Sequence, residues 1–306
     1  MATNPYRTTQ TLTFAVGTDI HQDIMHDGPK RLQAFVEAAA KAQVDMAIQL
    51  GDFCQPTAAN RPFLSLWEKL DRPRYNVLGN HDMDGGFSRA ETVAYMSMPN
   101  RYYAFDINGW HCVVLDGNDP SEPPLPGYPR GVDATQRAWL AADLQGTHLP
   151  VLVFIHQSLD RGDMDGGEAV LDLFDQINQI AGWQQIVAVF SGHHHLDYAA
   201  SINGIWHVQI NSMSNYWMGD DFQLVRYSDE IDAAFPYIKY TAPYKDPLYA
   251  TVRVEPGGVI HIEGTESEWV GSSPADLGYA LAHGGQLPLA GASLRPGIAS
   301  RVLGGQ

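Results

Sequence analysis

The chain has 306 residues, 44% of them hydrophobic, enough to bury a sizeable core in one large domain. Its 19 basic and 35 acidic side chains give a formal net charge of −16, which opposes nucleic acid and anionic membrane unless bound cations reverse the local field. Two cysteines, Cys54 and Cys112, exclude a disulfide framework, and no apolar run reaches membrane-spanning length or makes a signal-peptide core, so the expectation is a cytoplasmic protein with free thiols.

Thr11 to Gly17 predicts a first buried strand, which delivers Asp19-Ile20-His21 at its end. Alternate residues of an extended segment point the same way, so Asp19 and His21 can converge on one point. Pro29 opens a helix whose apolar residues Leu32, Phe35, Val36, Ala39 and Ala40 have helical spacing. Val44 to Leu50 is the next strand and ends at Gly51-Asp52. A second helix, about Arg61 to Leu70, leads to a strand over Arg74 to Leu78 that ends at Gly79-Asn80-His81-Asp82. In that turn the Asn80 carbonyl oxygen can ligate a hard metal ion, His81 can carry a proton at neutral pH, and Asp82 can orient the imidazole. The pattern is a repeated β-loop-α-β with a polar ligand type after each strand, where open α/β sheets place their ligands.

Ser88 to Met96 predicts a short helix. Tyr102 to Phe105 and Cys112 to Leu115 flank Asn108-Gly109 as a hairpin. The Pro- and Gly-rich stretch Asp116 to Gly131 predicts a long loop near the site. Asp133 with Gln136 reads as a capping box for a helix through Leu144. Pro150 to Ile155 is a strand ending at His156, Glu168 to Ile180 a helix, and Ile186 to Phe190 a strand ending at Ser191-Gly192-His193-His194-His195. Beyond it the pattern turns β-rich, with hairpins about Asn203-Gly204 and Pro256-Gly257-Gly258 and a polar-aromatic loop over Ser212 to Asp221. The domain therefore reads as 1–268, with a core over about 12–212 and a β-rich continuation over 213–268. Residues 269–306 read as an extended Gly-, Ala- and Pro-rich tail.

Five strand ends supply Asp19, His21, Asp52, Asn80, His156, His193 and His195. This mixed nitrogen and oxygen set suits two divalent or mixed-valence transition-metal ions, Mn, Fe or Zn, because seven ligands are too many for one. Two ions roughly 3.5–4 Å apart can clamp the attacking and leaving oxygens of a phosphoryl displacement. Asp52 is the natural bridge, since a carboxylate has two oxygens and its position lies between the two groups of ligands.

Asp-x-His, Gly-Asp, Gly-Asn-His-Asp, a lone His after a strand and Gly-His-x-His, in that order, resemble the calcineurin-like metallophosphoesterases. The length and motif spacing are most similar to their bacterial cyclic-nucleotide and glycerophosphodiester phosphodiesterase branch. The resemblance implies one metal on Asp19, His21, Asp52 and His195 and a second on Asp52, Asn80, His156 and His193. It implies that His81 meets the phosphate and protonates the leaving group, with Asp82 behind it. It also implies a four-layer α/β/β/α sandwich with two mixed sheets, and the first half of the chain and the strand-rich later part should each contribute one sheet. The expected activity is dinuclear-metal-dependent hydrolysis of a small phosphate ester, a diester in preference to a monoester, by attack of a metal-bound hydroxide.

His194, Tyr216 and Trp217 are candidate substrate contacts. Cys54 and the acidic run Asp160, Asp163 and Asp165 read as a buried filler and a solvated loop. A phosphomonoesterase, a nuclease on the same site and a non-catalytic scaffold of the same fold are the alternatives. The acidic balance disfavours nucleic acid and membrane as partners and is compatible with a homo-oligomer.

Overall fold

In the computed structural model, which describes residues 6, 9–124, 126–279 and 294–304, the first third alternates strands and helices. It runs β1 (Leu12–Gly17), α1 (Gly28–Lys41), β2 (Met46–Gln49), α2 (Arg61–Glu68) and β3 (Arg74–Asn76). The middle of the chain contributes α3 (Arg89–Tyr95), β4 (Tyr103–Ile107), β5 (Trp110–Val114), α4 (Ala134–Gly146), β6 (Val151–Phe154), α5 (Gly167–Ala181), β7 (Ile186–Ser191), β8 (Tyr198–Ile202) and β9 (Ile205–Gln209). The last third contributes β10 (Asn215–Trp217), α6 (Asp229–Ala234), β11 (Thr241–Pro243), β12 (Ala250–Val254), β13 (Ile260–Gly264) and β14 (Arg301–Leu303).

Local chemistry explains several boundaries. Ser88 and Glu91 cap α3 reciprocally, and Asp133 accepts the Gln136 amide N–H at 2.6 Å to start α4. The Gln136 side chain does not close that cap. It bonds the Asp116 backbone instead and ties the helix start to the loop after β5. Both hairpin turns, Asn108-Gly109 and Asn203-Gly204, have left-handed backbone at both central residues, as a two-residue turn between twisted strands requires.

The two sheets are both mixed. The first has the order β14-β13-β12-β1-β2-β3, parallel from β1 to β3 and antiparallel beyond; the second has the order β4-β5-β6-β7-β9-β8. Alternation on the second sheet separates its faces. Cys112, Val114, Leu152 and Phe154 pack between the sheets, while Val113, Val151, Val153 and Ile155 pack with Leu140, Val170 and Phe174 of α4 and α5. Phe14 of β1 meets Phe154 and Phe190 edge-on, with ring centroids 5.7 and 5.4 Å apart, which locks the sheets face to face. On the outer side of the first sheet, Phe35 of α1 stacks on Trp67 of α2, whose indole N–H reaches Asn76 of β3 at 2.9 Å. The layers are helix, sheet, sheet, helix.

The expected split of the sheets between the first half and the later part does not hold. The first sheet takes strands from both ends of the chain, because β12 pairs with the free edge of β1 that β2 leaves open, and the middle builds the second sheet alone. Within 269–306, Arg301–Leu303 adds to β13 as the outermost strand; 280–293 lie outside the described residues. Both cysteines are free and buried, and no helix of the described residues is long and apolar enough to cross a membrane.

Candidate metal centre and active site

The backbone is unusual where the strands end. Nine non-glycine residues among those described have positive φ, and five of them are Asp19, His21, Asp52, His193 and His195, at 52° to 74°. Each such residue costs on the order of 1–3 kcal/mol, so the surrounding fold is holding these side chains where relaxed strands would not. Asp19 and His21 do converge, but through left-handed turns beyond the end of β1 and not as alternate residues of a strand. The glycines before two motifs have a steric reason. A Cβ on Gly79 would strike the amide and carboxylate of Asp52, and one on Gly192 would strike the Thr18 hydroxyl and, at 2.7 Å, the Asp19 carboxylate.

The convergence is tight. Asp19 Oδ1 lies 3.2 Å from His195 Nε2, 3.8 Å from His21 Nε2 and 3.9 Å from His156 Nε2. Asp52 Oδ2 lies 3.2 Å from His156 Nε2 and 3.8 Å from His21 Nε2, while its other oxygen accepts the His81 backbone N–H at 2.8 Å. Donor atoms of Asp19, His21 and His195 form one cluster and those of Asp52, His156 and His193 another, with His21, Asp52 and His81 between them. His156 and His195 each hold a backbone carbonyl with Nδ1, those of Leu50 and Asn215, both at 2.7 Å. That contact fixes the tautomer and turns Nε2 to the centre.

These groups fit cations. Asp19 Oδ1 and the Asn80 carbonyl oxygen are buried and make no hydrogen bond, a cost that a metal ion would remove. His195 Nε2 faces His21 Nε2 at 3.1 Å, an opposition that a cation or a shared proton relieves. For the protein groups alone, burial depresses His21 and His193 to about 3, so both rings offer lone pairs. Burial opposes charge on His156 too, but Asp52 and Asp19 outweigh it and raise the imidazole to about 9. The two neutral and one protonated imidazoles would all turn to ligands once positive ions replaced the proton. The set of imidazoles, carboxylates and an amide, without thiolate, suits borderline divalent ions.

His81 stands at the rim, in the turn His81–Met83, and its orienting partner is not Asp82. Asp82 faces away, accepting the backbone N–H groups of Phe53, Cys54 and Gly79 at 2.7, 3.0 and 2.8 Å. It ties the Gly51-Asp52 turn to the Gly79-Asn80 turn. The carboxylate beside the imidazole is Asp84, whose Oδ2 lies 2.7 Å from His81 Nδ1 and whose Oδ1 accepts the Tyr128 hydroxyl at 2.8 Å. Burial disfavours the imidazolium, but Asp52 and Asp84 prevail and raise His81 to about 9.

A cavity of about 750 Å³ opens over His21, Asn80, His81, His193 and His195. Trp217 lines it. Tyr216 does not: adjacent residues of β10 point to opposite faces, and Tyr216 is buried against Leu196, Met218 and Ala242. His194 is also not part of the wall; its ring lies 4.9 Å from that of His193, with Nε2 buried and unbonded. Sequence reasoning missed Asp23, Asp84, Tyr128, Asp220, Tyr237 and Tyr240, all of which line the cavity. Only Asp84, three residues past His81, carried a local signal.

The family profile of calcineurin-like phosphoesterases matches residues 12–197, and the chain belongs to that family. The fold is similar to that of a dimetal phosphatase from Danio rerio, at 16% identity and a TM-score of 0.60, over 85% of this chain and 98% of that one. It is also similar to GAP50, the anchor in the inner membrane complex of Plasmodium, at 14% identity and a TM-score of 0.50, over 84% of each chain. No curated protein matches by sequence. The family membership supports metal-dependent phosphoester hydrolysis.

Proposed function

We propose that this calcineurin-like phosphoesterase hydrolyses small organic phosphodiesters, nearest in kind to the bacterial cyclic-nucleotide and glycerophosphodiester branch. The cavity carries the reading. Its volume of about 750 Å³ is within the roughly 300–1,000 Å³ usual for small-molecule sites. It extends from the His and Asp cluster to Tyr128, Trp217, Tyr237 and Tyr240, a volume that would take a phosphate with two substituents. Among the described residues no Lys or Arg lines it, so beyond the His81 imidazolium no side-chain cation is offered to the second charge of a monoester.

Asp19, His21, Asp52 and His195 would hold one ion, and Asp52, Asn80, His156 and His193 the other. Two ions of Mn, Fe or Zn, held there, would supply Lewis-acid charge to the phosphoryl oxygens and lower the pKa of water. The chain's own residues do the rest. His156 and His195, held through Nδ1 by backbone carbonyls, would present Nε2 to the ions, and Asp52 reaches toward both clusters while its second oxygen pins the His81 backbone. His81, held through Nδ1 by Asp84 in the cavity wall, would protonate the leaving alkoxide from Nε2–H.

The test compares the Mn-reconstituted protein on an alkyl phosphodiester and on the monoester of the same alcohol, with and without chelator. The diester should have the higher kcat/KM, and chelation should abolish both rates. A faster monoester would overturn the diester preference. A nuclease reading predicts a steep fall of binding with salt on an oligonucleotide; the five aspartates around the cavity argue against it.

A further inference from the structure

We infer that Ser212 and Ser214 are positioning residues for one of the two ion sites. Their hydroxyls hold the strained Asp19-Ile20-His21 turn, so that losing either weakens the ion on Asp19, His21, Asp52 and His195 and spares its neighbour. This rests on the two-ion reading of the centre and says which groups of the chain set up one of its halves.

The first observation is how the turn is held. Asp19 and His21 both have a φ of 52°, a left-handed conformation that persists only where the surroundings over-determine it. The amide side is taken by the neighbouring turn: the N–H groups of Asp19 and His21 donate to the carbonyls of Gly51 and Asp52, each at 3.0 Å. The carbonyl side is taken by one short segment after β9. The Met213 N–H donates to Thr18 O, the Ser212 hydroxyl to Asp19 O and the Ser214 hydroxyl to Ile20 O, each at 2.8 Å. Three successive carbonyls are thus met by three successive residues. The Asp19 carboxylate is turned separately, by the Thr18 hydroxyl at 2.6 Å and the His193 N–H at 2.9 Å on Oδ2, which leaves Oδ1 for the cluster.

The second observation is that the same segment reaches the remaining member of the first cluster, His195. Ser212 Oγ accepts the Ser214 and Asn215 N–H groups at 3.1 and 3.2 Å, and the Asn215 carbonyl lies 2.7 Å from His195 Nδ1. Asp19, His21 and His195 are therefore fixed from one short segment, whereas His156 of the second cluster is held by the Leu50 carbonyl. Both serines are fully buried, where an unbonded hydroxyl costs free energy and an alanine would fill nearly the same space. What the hydroxyl adds is its bond to a carbonyl of the turn. The segment is itself anchored. Asn211 donates through Nδ2 to the carbonyls of Arg295 and Gly297 at 3.0 and 3.2 Å, and its Oδ1 accepts the Tyr244 hydroxyl at 3.1 Å. Groups that orient a metal ligand in this way are typically worth roughly 10–100-fold in metal affinity.

The test measures Mn affinity of the full chain by calorimetry, in two backgrounds that each keep one ion. Asn80→Ala keeps the ion of the first cluster, and His195→Ala keeps that of the second. Ser212→Ala and Ser214→Ala should each weaken Mn binding by roughly 10–100-fold in the Asn80→Ala background and by no more than about twofold in the His195→Ala background. With Co as the probe, the visible bands, which report ligand geometry, should change in the first background alone. Melting of the metal-free proteins separates a folding defect from a site defect. Ser214→Ala, which leaves the Ser212 hydroxyl in place, carries the comparison if Ser212→Ala does not fold. Equal weakening in both backgrounds, or none in either, would overturn the positioning role and leave the two-ion reading standing. An unaltered chain that binds fewer than two Mn ions would sink the two-ion reading, and this role with it.

Discussion

His81 Nδ1 and Asp84 Oδ2 lie 2.7 Å apart, and the far oxygen of that carboxylate is held by the Tyr128 hydroxyl. The imidazole is thus pinned at Nδ1 by two groups of the cavity wall, and despite its burial Asp52 and Asp84 raise it to about 9, so it carries a proton at neutral pH. General-acid assistance is typically worth about 10²–10⁴-fold, and mostly when the leaving oxygen is a poor one. His81→Ala should therefore lose far more rate on an alkyl phosphodiester than on a nitrophenyl ester. Asp84→Asn removes a charge that favours the imidazolium, so the basic limb of the alkyl-diester pH profile should move to lower pH, with a loss of about tenfold at pH 8. Equal losses for both leaving groups in His81→Ala, or an unmoved basic limb in Asp84→Asn, would remove the general-acid role.

Asp82 carries a different burden. Truncating it strands three buried N–H groups, those of Gly79, Phe53 and Cys54. Asp82→Ala should cost about 3 kcal/mol in denaturant unfolding, since each unsatisfied buried donor costs roughly 1–3 kcal/mol and the turns can relax in part. Whatever activity it loses should be the same for good and poor leaving groups. A leaving-group-dependent loss at unchanged stability would return Asp82 to the catalytic role expected of it from sequence.

Asp52 and Asn80 differ in how many clusters they reach. The Asp52 carboxylate lies within 4 Å of His156 and of His21, one in each cluster, whereas Asn80 turns a single unpartnered oxygen inward. Elemental analysis after Mn reconstitution should find about two ions in the unaltered chain, about one in Asn80→Ala and well under one in Asp52→Ala. Equal metal content in the two variants would argue against a shared carboxylate.

The candidate ligands at the strand ends were legible because each follows a short apolar run, and all but His156 follow a motif glycine, signals confined to a few residues. The two mixed sheets and the outer helices were expected from the family resemblance that those motifs carry. The partition of strands was not, since Leu12 to Val16 pair with Ala250 to Val254 from the far end of the chain, and edge pairing leaves no local mark. Asp84 escaped notice because Asp82 is adjacent to His81, and only the tight turn at His81–Met83 turns the nearer carboxylate away and brings the one three residues on beside the ring. Tyr128 and Tyr237 come from loops, where neither periodicity nor spacing reports which way a ring faces.

His111 gives a pH test remote from the metals. Its Nδ1 lies 2.6 Å from Asp106 and its Nε2 2.8 Å from Asp143. Burial works against the imidazolium, but the bonds to Asp143 and Asp106 prevail and raise its pKa above the ordinary value. A raised folded pKa stabilises the protein fully below the unfolded value of about 6.5, and that contribution disappears as pH climbs through the folded value. His111→Gln should therefore be more destabilising at pH 5.5 than at pH 9. The difference should be on the order of 1 kcal/mol, discounted because the Asp106 side chain is 62% exposed. Urea unfolding of both proteins at the two pH values measures it, and the part of the penalty due to lost packing cancels in the comparison. A penalty that grows with pH would mean that the native ring is neutral and that one of its two carboxylate contacts lacks a proton.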